Sequence, residues 1–416
     1  MRLLILTQYY PPETGAAQNR LHALAKRLSE RGVEVKVLTA MPNYPAMKVM
    51  EGYRRRCFKR ETIDGIEVLR SWIYVRNSKS IIQRLFNYFS FVFSSFNTGL
   101  FRLGRTDYIL CESPPLFLGI TAFFLSRIKR AGLIFNVSDL WPESAEKLGL
   151  IHSRFLLGIS TRLEEFLYRR SVLITGQTRG IVDNIKKRFP QKPLYWLPNG
   201  AELDYYTPGK DASEWRKDNG FEPSDFLVFY GGILGHAQGL EVLLEAAGRL
   251  REHTGIKVII MGDGPLKEKM LQMKASLGLF NVFFFGSVPK SQMPLVLSSI
   301  DISVIPLKKL DLFKGAIPSK IFENLAMKKP ILLGVEGEAK SLFIDEGKCG
   351  LAFEPENDAM LAEKILLLRS DPSMLSELGN NARAYAELRF DRNKIADDFY
   401  DELIKLYEPK SSTDFK

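Results

Sequence analysis

Cysteine is nearly absent from this 416-residue chain. Cys57, Cys111 and Cys349 are far apart and odd in number. They form neither a disulfide framework nor the short spacings of a thiolate metal site, so reduced thiols of a cytosolic protein are expected. Long apolar runs are missing too. No 18-residue apolar span is free of charge, which excludes an ordinary membrane-spanning helix. The opening MRLLILTQYYPP has too short an apolar run, ended too soon by polar residues and prolines, to be a signal peptide. There is no repeat of solenoid period and no low-complexity tract. No GxGxxG follows the first apolar run, so a simple dinucleotide fingerprint is absent.

Acid is short in one region only. Residues 1–110 hold 18 Lys and Arg against 8 Asp and Glu, whereas residues 111–416 hold 40 against 40. The whole net charge of +10 therefore sits in the first quarter. An excess so placed points to a partner surface on one lobe, nucleic acid or an anionic membrane. Arg54–Arg60 (RRRCFKR) is a dense basic cluster, and Ile81–Arg105 carries six phenylalanines, a tyrosine, basic ends and no acid. As a helix this segment is apolar nearly all round. It reads either as a buried core helix or as a segment lying in a bilayer surface, aromatics at the headgroups and arginines on anionic lipid. The charge upstream favours the bilayer.

At this length cores split, so two or more domains are expected, and 45% hydrophobic residues supply them. Strand-like runs alternate with helical stretches throughout. Arg2–Thr7, the loop QYYPPETGAAQ, the amphipathic Asn19–Arg31 and the run Val33–Thr39 make an opening βαβ unit of a doubly wound sheet. Further strands are expected at Asp107–Cys111, Gly132–Val137, Val172–Gly176 and Leu194–Leu197, with helices at Ile120–Lys129, Phe155–Arg169 and Gly180–Arg188. Pro198–Pro208, with its Asn-Gly turn, marks the crossing to a second lobe. That lobe restarts with strands at Phe226–Tyr230, Lys257–Met261, Val282–Phe285, Ile302–Pro306 and Gly350–Phe353. The expected domains are 1–198 and 199–389, with a helix in 390–416 crossing back to the first.

Loops at the carboxyl ends of parallel strands line the crevice of such sheets, and the candidate residues fall there. Gly15 either lets a backbone approach an anion or makes a turn. Arg20 either faces the same cleft or is solvated. Ala40–Pro45 (AMPNYP) is a candidate acceptor loop or a rigid proline turn. Asp139, in SDLWPES, would orient or deprotonate a hydroxyl, or else cap a helix. In the second lobe Ile302–Val335 reads strand, loop, helix, strand. Pro318 stands where a first helical residue should. Ser319 and Lys320 offer free backbone N–H groups and a helix N-terminus to an anion. Glu323, a turn further in, suits paired sugar hydroxyls better than a phosphate. The plain alternative is a βαβ unit with a proline start and an exposed glutamate.

Eight segments in order, QYYPPETGAAQNR, MPNYP, SDLWPES, LPNG, GHAQGLE, GDGP, GSVP and PSKIFENLAMKKPIL, resemble the family-4 retaining glycosyltransferases of the GT-B fold. The resemblance spans nearly the whole chain and is closest to the WbuB-like branch of amino-sugar transferases. It implies an α/β architecture of two Rossmann-like domains facing a cleft. The N-terminal domain would hold the acceptor and touch the membrane. The C-terminal domain would hold a nucleotide-sugar, usually UDP-linked. Carried over by residue, Gly232 and Gln238 would cradle the diphosphate, and Val288 would pair its backbone with the uracil edge. Ser319 and Lys320, behind Pro318, would give donors to the β-phosphate, and Glu323 would hold the ribose. Gly15 and Arg20 would serve from the other lobe, Asn199 and Gly264 would add donor contacts, and Asp139 would sit at the sugar or acceptor. Asp139, Lys320 and Glu323 are the expected catalytic set.

The sequence departs from the wider family in three places, at four positions. Position 315 is glycine, so the glutamate pair spaced eight apart is incomplete. Ile233 and Gln238 stand where an arginine and a lysine usually neutralise the diphosphate, and Ser138 stands at an acceptor-lobe histidine. The pyrophosphate is left short of cations, for which Lys320, Arg20 and helix termini would compensate. No Asp-x-Asp motif is present, against a metal-dependent GT-A mechanism. The implied reaction is metal-independent, retaining transfer of an N-acetylated amino sugar from UDP to an undecaprenyl-diphosphate saccharide in O-antigen or capsule assembly. The enzyme would be cytoplasmic, on the inner face of the cell membrane, with segment 54–105 on anionic lipid, no nucleic-acid partner and no cofactor. Two rivals share features. A UDP-hexosamine 2-epimerase needs acid–base residues, yet of His22, His152, His236 and His253 only His236 lies in a suitable loop. A non-enzymatic nucleotide-sugar-binding scaffold would fit the missing glutamate and cations.

Overall fold

The computed structural model describes residues 1–44, 46–76, 81–147 and 153–407. Pro45 of the AMPNYP loop, His152 and the chain beyond residue 407 lie outside them. The chain divides into two compact units: Met1–Pro198 with the last helix, and Asn199–Asp391. The second boundary falls two residues past the expected 389, because Asp391 still pairs with Ala201 and Arg392 opens the last helix.

The first unit is built on β1 (Arg2–Leu6), β2 (Glu34–Ala40), β3 (Phe58–Ile63), β4 (Ile66–Ser71), β5 (Tyr108–Ser113), β6 (Gly132–Val137), β7 (Leu173–Gly176) and β8 (Leu194–Trp196). They form one sheet in the order β3-β4-β2-β1-β5-β6-β7-β8. All neighbours are parallel except β3, which turns back on β4 through Asp64 and Gly65, both at positive φ. That hairpin was not anticipated, although an Asp-Gly between strands is its usual signature.

Side chains of β1 alternate between two cores, as a strand's period of two requires. Leu4 and Leu6 pack towards α2 (Ile81–Arg102) and α3 (Leu118–Lys129). Leu3 and Ile5 pack towards α1 (Ala16–Glu30) and the last helix, Arg392–Tyr407. That last helix returns to the first unit as expected. It buries Phe399 and Leu403 there, Arg27 Nε donates to Asn393 Oδ1 (2.7 Å), and the Tyr108 hydroxyl donates to the Leu406 carbonyl (2.6 Å).

Helix α2 is not apolar all round. Its buried side carries Phe91 together with Asn87, Ser95 and Thr98, which bond to Gln8, Thr121 and Ser71. Its outer side exposes Phe86 (64%), Phe93 (71%) and Phe101 (75%). The alternative of a fully buried core helix is therefore excluded. Among the described residues no helix is long and apolar enough to cross a membrane.

The second unit contains β9 (Phe226–Gly231), β10 (Ile256–Met261), β11 (Val282–Phe285), β12 (Ile302–Pro306), β13 (Ile331–Gly334) and β14 (Gly350–Ala352), ordered β11-β10-β9-β12-β13-β14 and parallel throughout. The strand order reverses between β9 and β12, the kind of position where open α/β sheets take ligands.

Candidate functional site

In the second unit β9 and β10 pair Gly231 with Met261. The residues that follow meet backbone to backbone. Gly232 N–H donates to the Met261 carbonyl (2.9 Å), and a Cβ on Gly262 would stand 1.9 Å from the Gly232 oxygen. Both glycines hold positive φ, 142° and 146°, where L side chains are strained. This close approach leaves a cavity of about 510 Å³ at the carboxyl ends of the strands, within the size range of small-molecule sites. Gly232, Gln238 and Val288 line it, as do Pro318, Ser319, Lys320 and Glu323. A larger concavity of about 950 Å³ lies near Arg216 and Asp301, and none of the predicted residues lines it.

Lys320 is the cation of this cavity. Its Nζ lies 3.8 Å from the centre of the Tyr230 ring and beside Gly232. Burial pulls its pKa down to about 7, with the Glu323 carboxylate opposing. Tyr230, unremarked in the sequence, is the hub: its ring carries Lys320, and its hydroxyl donates to Ile233 O (2.8 Å), with Gln238 Oε1 3.4 Å away. Glu323 faces the buried Tyr206, whose hydroxyl is held protonated by burial and by that carboxylate. Among the described residues, the backbone N–H groups of Ser319 and Lys320 have no acceptor.

Several expectations need correction. Pro318 is not the first helical residue; the helix runs Lys320–Ala326 with Ser319 as its cap, and the Pro318 carbonyl closes the preceding turn onto Ile321 N–H (3.1 Å). At seven residues this helix has a weak dipole. Gly264 is outside the cavity lining. Its φ of 155° serves packing, since a Cβ would meet the Leu234 oxygen at 2.5 Å; Gly262 is the lining glycine the sequence reading missed, in the same GDGP. Asn199 is buried and bonds its own following N–H (2.9 Å), also away from the lining. Gly315 ends a 3₁₀ turn with open space around it.

In the first unit, register assembles a buried polar cluster. β5 sets Glu112 opposite Asn136 of β6, and β6 sets Asn136 opposite Thr175 of β7. Asn136 donates to Glu112, and Thr175 donates to Asn136 Oδ1 (2.6 Å). Arg20, on α1, completes it with an ion pair to Glu112 (2.6 Å) and a bond to Ser138 Oγ (2.8 Å). Arg20 is thus neither solvated nor a free cation. Gly15 caps α1 with φ 171°, an extended backbone rather than a left-handed one, and a Cβ there would meet Gln18 Oε1 at 2.4 Å. Asp139 follows β6; Ser144 Oγ donates to it (2.5 Å), and burial raises its pKa against that bond and one from Leu140. Glu13 was missed: fully buried, it accepts the N–H groups of Asn43 (2.7 Å) and Tyr44 (2.8 Å), and so shapes the AMPNYP loop. Among the described residues, no three His, Cys, Asp or Glu side chains converge as a metal set would.

The sequence matches the "Glycosyl transferase 4-like domain" model over residues 15–200 and the "Glycosyl transferases group 1" model over residues 211–385, one for each unit. The chain is a family-4 glycosyltransferase of the GT-B fold. The putative colanic acid biosynthesis glycosyl transferase WcaI of Escherichia coli K12 is 26% identical to this glycosyltransferase over 97% of its chain and 100% of WcaI. Among solved structures, sucrose-phosphate synthase of Thermosynechococcus elongatus superposes with a TM-score of 0.75 at 16% identity, covering 98% and 99% of the two chains. HepE of Anabaena, solved with UDP and glucose, gives 0.71 at 19% identity over 97% and 99%. These likenesses carry the fold.

Proposed function

We propose that this glycosyltransferase moves an N-acetylated amino sugar, as in the WbuB-like branch, from UDP to an undecaprenyl-diphosphate saccharide during surface-polysaccharide assembly, with retention and without a metal. The observation that carries the reading is the cavity where Lys320, Glu323 and the Gly232–Gly262 contact meet. A diphosphate fits beside Lys320 Nζ and the free N–H groups of Ser319 and Lys320, and a ribose fits at Glu323. HepE, of the same fold, was solved with UDP.

In the reaction, an acceptor hydroxyl attacks the anomeric carbon while the bond to the β-phosphate oxygen breaks. The departing phosphate takes the hydroxyl proton from the same face. Lys320 stabilises the charge that grows on that phosphate. Asp139, in the acceptor-binding first unit, orients the attacking hydroxyl. Segment 54–105 places that unit on the inner membrane surface. Helix α2 supports this: it buries Asn87, Ser95 and Thr98 while exposing phenylalanines, the reverse of a water-facing helix and suited to a bilayer interface.

The test is mass spectrometry of products from UDP-, GDP- and dTDP-sugars with bacterial membrane extract. A new lipid-linked glycan from a UDP-N-acetylhexosamine, with the anomeric configuration kept, is expected. Use of GDP-sugars alone would overturn the donor assignment. Epimerisation of UDP-GlcNAc without acceptor, seen by NMR, would establish the epimerase; among the described residues, no histidine lines the cavity.

A further inference from the structure

The donor cavity makes no use of Arg54, Arg55 and Arg56, the start of the basic run. In the fold they line a cavity of about 350 Å³ in the first unit, with Met41, Trp72 and Ile73 among its walls and no carboxylate. The neighbouring cations each have a carboxylate partner: Lys59 and Arg70 share Glu61, and Arg60 pairs with Glu67. Arg54, Arg55 and Arg56 pair with no carboxylate among the described residues, and Arg54 bonds only the Val49 carbonyl (3.2 Å).

The loop that carries them is fixed. Met50 N–H donates to Pro42 O (2.9 Å) and Tyr53 N–H to Met50 O (3.2 Å), while the Tyr53 hydroxyl reaches Glu61 (3.1 Å). At the far end Trp72 N–H donates to Cys57 O (3.0 Å). Arg55 holds φ 58°, a left-handed conformation that a non-glycine residue adopts only when its surroundings impose it. Met41 and Ile73 make an apolar floor, 1% and 2% exposed, and Trp72 is 45% exposed. The cavity adjoins α2: Ser94 Oγ donates to the Trp72 carbonyl, and Arg102 lies 5.2 Å from the Phe58 ring.

Three unneutralised forked cations around an apolar floor, beside exposed phenylalanines, match a ligand with condensed negative charge on an apolar chain; guanidinium forks take phosphate oxygens in pairs. We propose that this cavity binds the diphosphate of the lipid-linked acceptor, its prenyl chain leaving along the exposed face of α2. The proposal rests on the reading of the acceptor as lipid-linked. Anionic bilayer headgroups share the chemistry, but a flat charged surface needs no cavity, whereas one multivalent anion does.

The test is binding of geranyl diphosphate to the full-length protein, followed by tryptophan fluorescence and calorimetry. The comparison is with R54A/R55A/R56A, with R54K/R55K/R56K, and with K26A/K186A/K187A, which removes equal charge from exposed sites elsewhere in the first unit. Folding of each is checked by circular dichroism. Saturable binding is expected, weakened about tenfold or more in the alanine triple, less in the lysine triple, and unchanged in the distant triple. Vesicles of phosphatidylglycerol in phosphatidylcholine separate the sources. If the alanine triple loses vesicle binding while geranyl diphosphate binds neither protein, only surface charge is at work and the proposal fails. Equal geranyl diphosphate binding by wild type and alanine triple also overturns it. Binding that depends on the arginines supports the cavity even where no sugar transfer is detected, a result that would count against the transferase reading alone.

Discussion

The protonation of Lys320 should set the pH dependence of donor binding. In the unliganded protein its pKa lies at about 7, lowered by burial against Tyr230 and only partly restored by Glu323. A diphosphate brought beside Nζ favours the charged form and returns the pKa towards the ordinary lysine value. The sign follows from linkage. Binding takes up a proton above the free pKa, so affinity is full below pH ~7 and falls as pH rises. For a ligand that requires the ammonium, the dissociation constant grows as one plus ten to the power of pH minus pKa. With the pKa at about 7, that is about 50-fold weakening from pH ~7 to ~9, an upper bound because Lys320 keeps some contact with water. The phosphates of a UDP-sugar are already ionised across this range and add no slope. The assay is calorimetric titration with a UDP-sugar in buffers of different protonation enthalpy. Uptake of about half a proton is expected near pH ~7. Lys320→Met should bind weakly with a flat profile, and Lys320→Arg should restore charge with a flat profile. A wild-type constant that does not move over this range, with no buffer dependence, would refute the placement of the diphosphate at Lys320.

Three further changes probe separate parts of the argument. Glu323→Gln keeps the shape facing Tyr206 but removes the charged acceptor; donor KM should rise about 10- to 100-fold with a smaller change in kcat, and initial rates with an unchanged KM would dismiss the ribose assignment. Gly262→Ala sets a Cβ 1.9 Å from the Gly232 oxygen at φ 146°, a backbone clash that no rotamer relieves. A loss of about 2–5 kcal/mol in urea unfolding, with loss of UDP binding, is expected; Gly315→Ala, in open space, should stay near wild type on both counts. Glu112→Gln leaves the Arg20 guanidinium buried and unpaired, costing about 3–5 kcal/mol, and the double change Arg20→Met with Glu112→Gln should recover most of it; equal losses in both would show that the ion pair is not what matters.

What could be read from the chain was local. Apolar runs gave the parallel strands other than β4 to within a few residues, because parallel strands buried on both faces need continuous apolar sequence. The half-exposed β3 is polar between Phe58 and Ile63 and overlaps a basic run, so it and β4 went unread, although Asp64-Gly65 announced their turn. The cavity residues of Pro318–Glu323 were legible because they share one turn of chain. Gly262 was not singled out, since a glycine's need is visible only when a second backbone, that of Gly232, arrives against it. The burial of Arg20 could not be read because its partners Glu112 and Ser138 stand 92 and 118 positions away, joined to it only through sheet register. The outward turn of the α2 phenylalanines was equally invisible, for it depends on Gln8, Ser71 and Thr121 claiming the opposite side.

The scarcity of cations around the second-unit cavity then takes on a meaning. Among the cavity's described lining residues Lys320 is the one lysine or arginine, while Asp263 and Glu323 are carboxylates. An arginine and a lysine at positions 233 and 238 would grip the diphosphate in the substrate as well as in the transition state, and the share of that grip common to both lowers KM without raising kcat. Replacing them by Ile233 and Gln238 gives up that grip. Lys320 differs, because in the proposed reaction it adjoins the phosphate on which charge grows as the sugar leaves. A scaffold that merely held a nucleotide-sugar would be served best by the uniform cations this chain lacks, and would gain little from a lysine whose ammonium burial against Tyr230 makes costly. The pattern of loss and retention therefore favours turnover over storage.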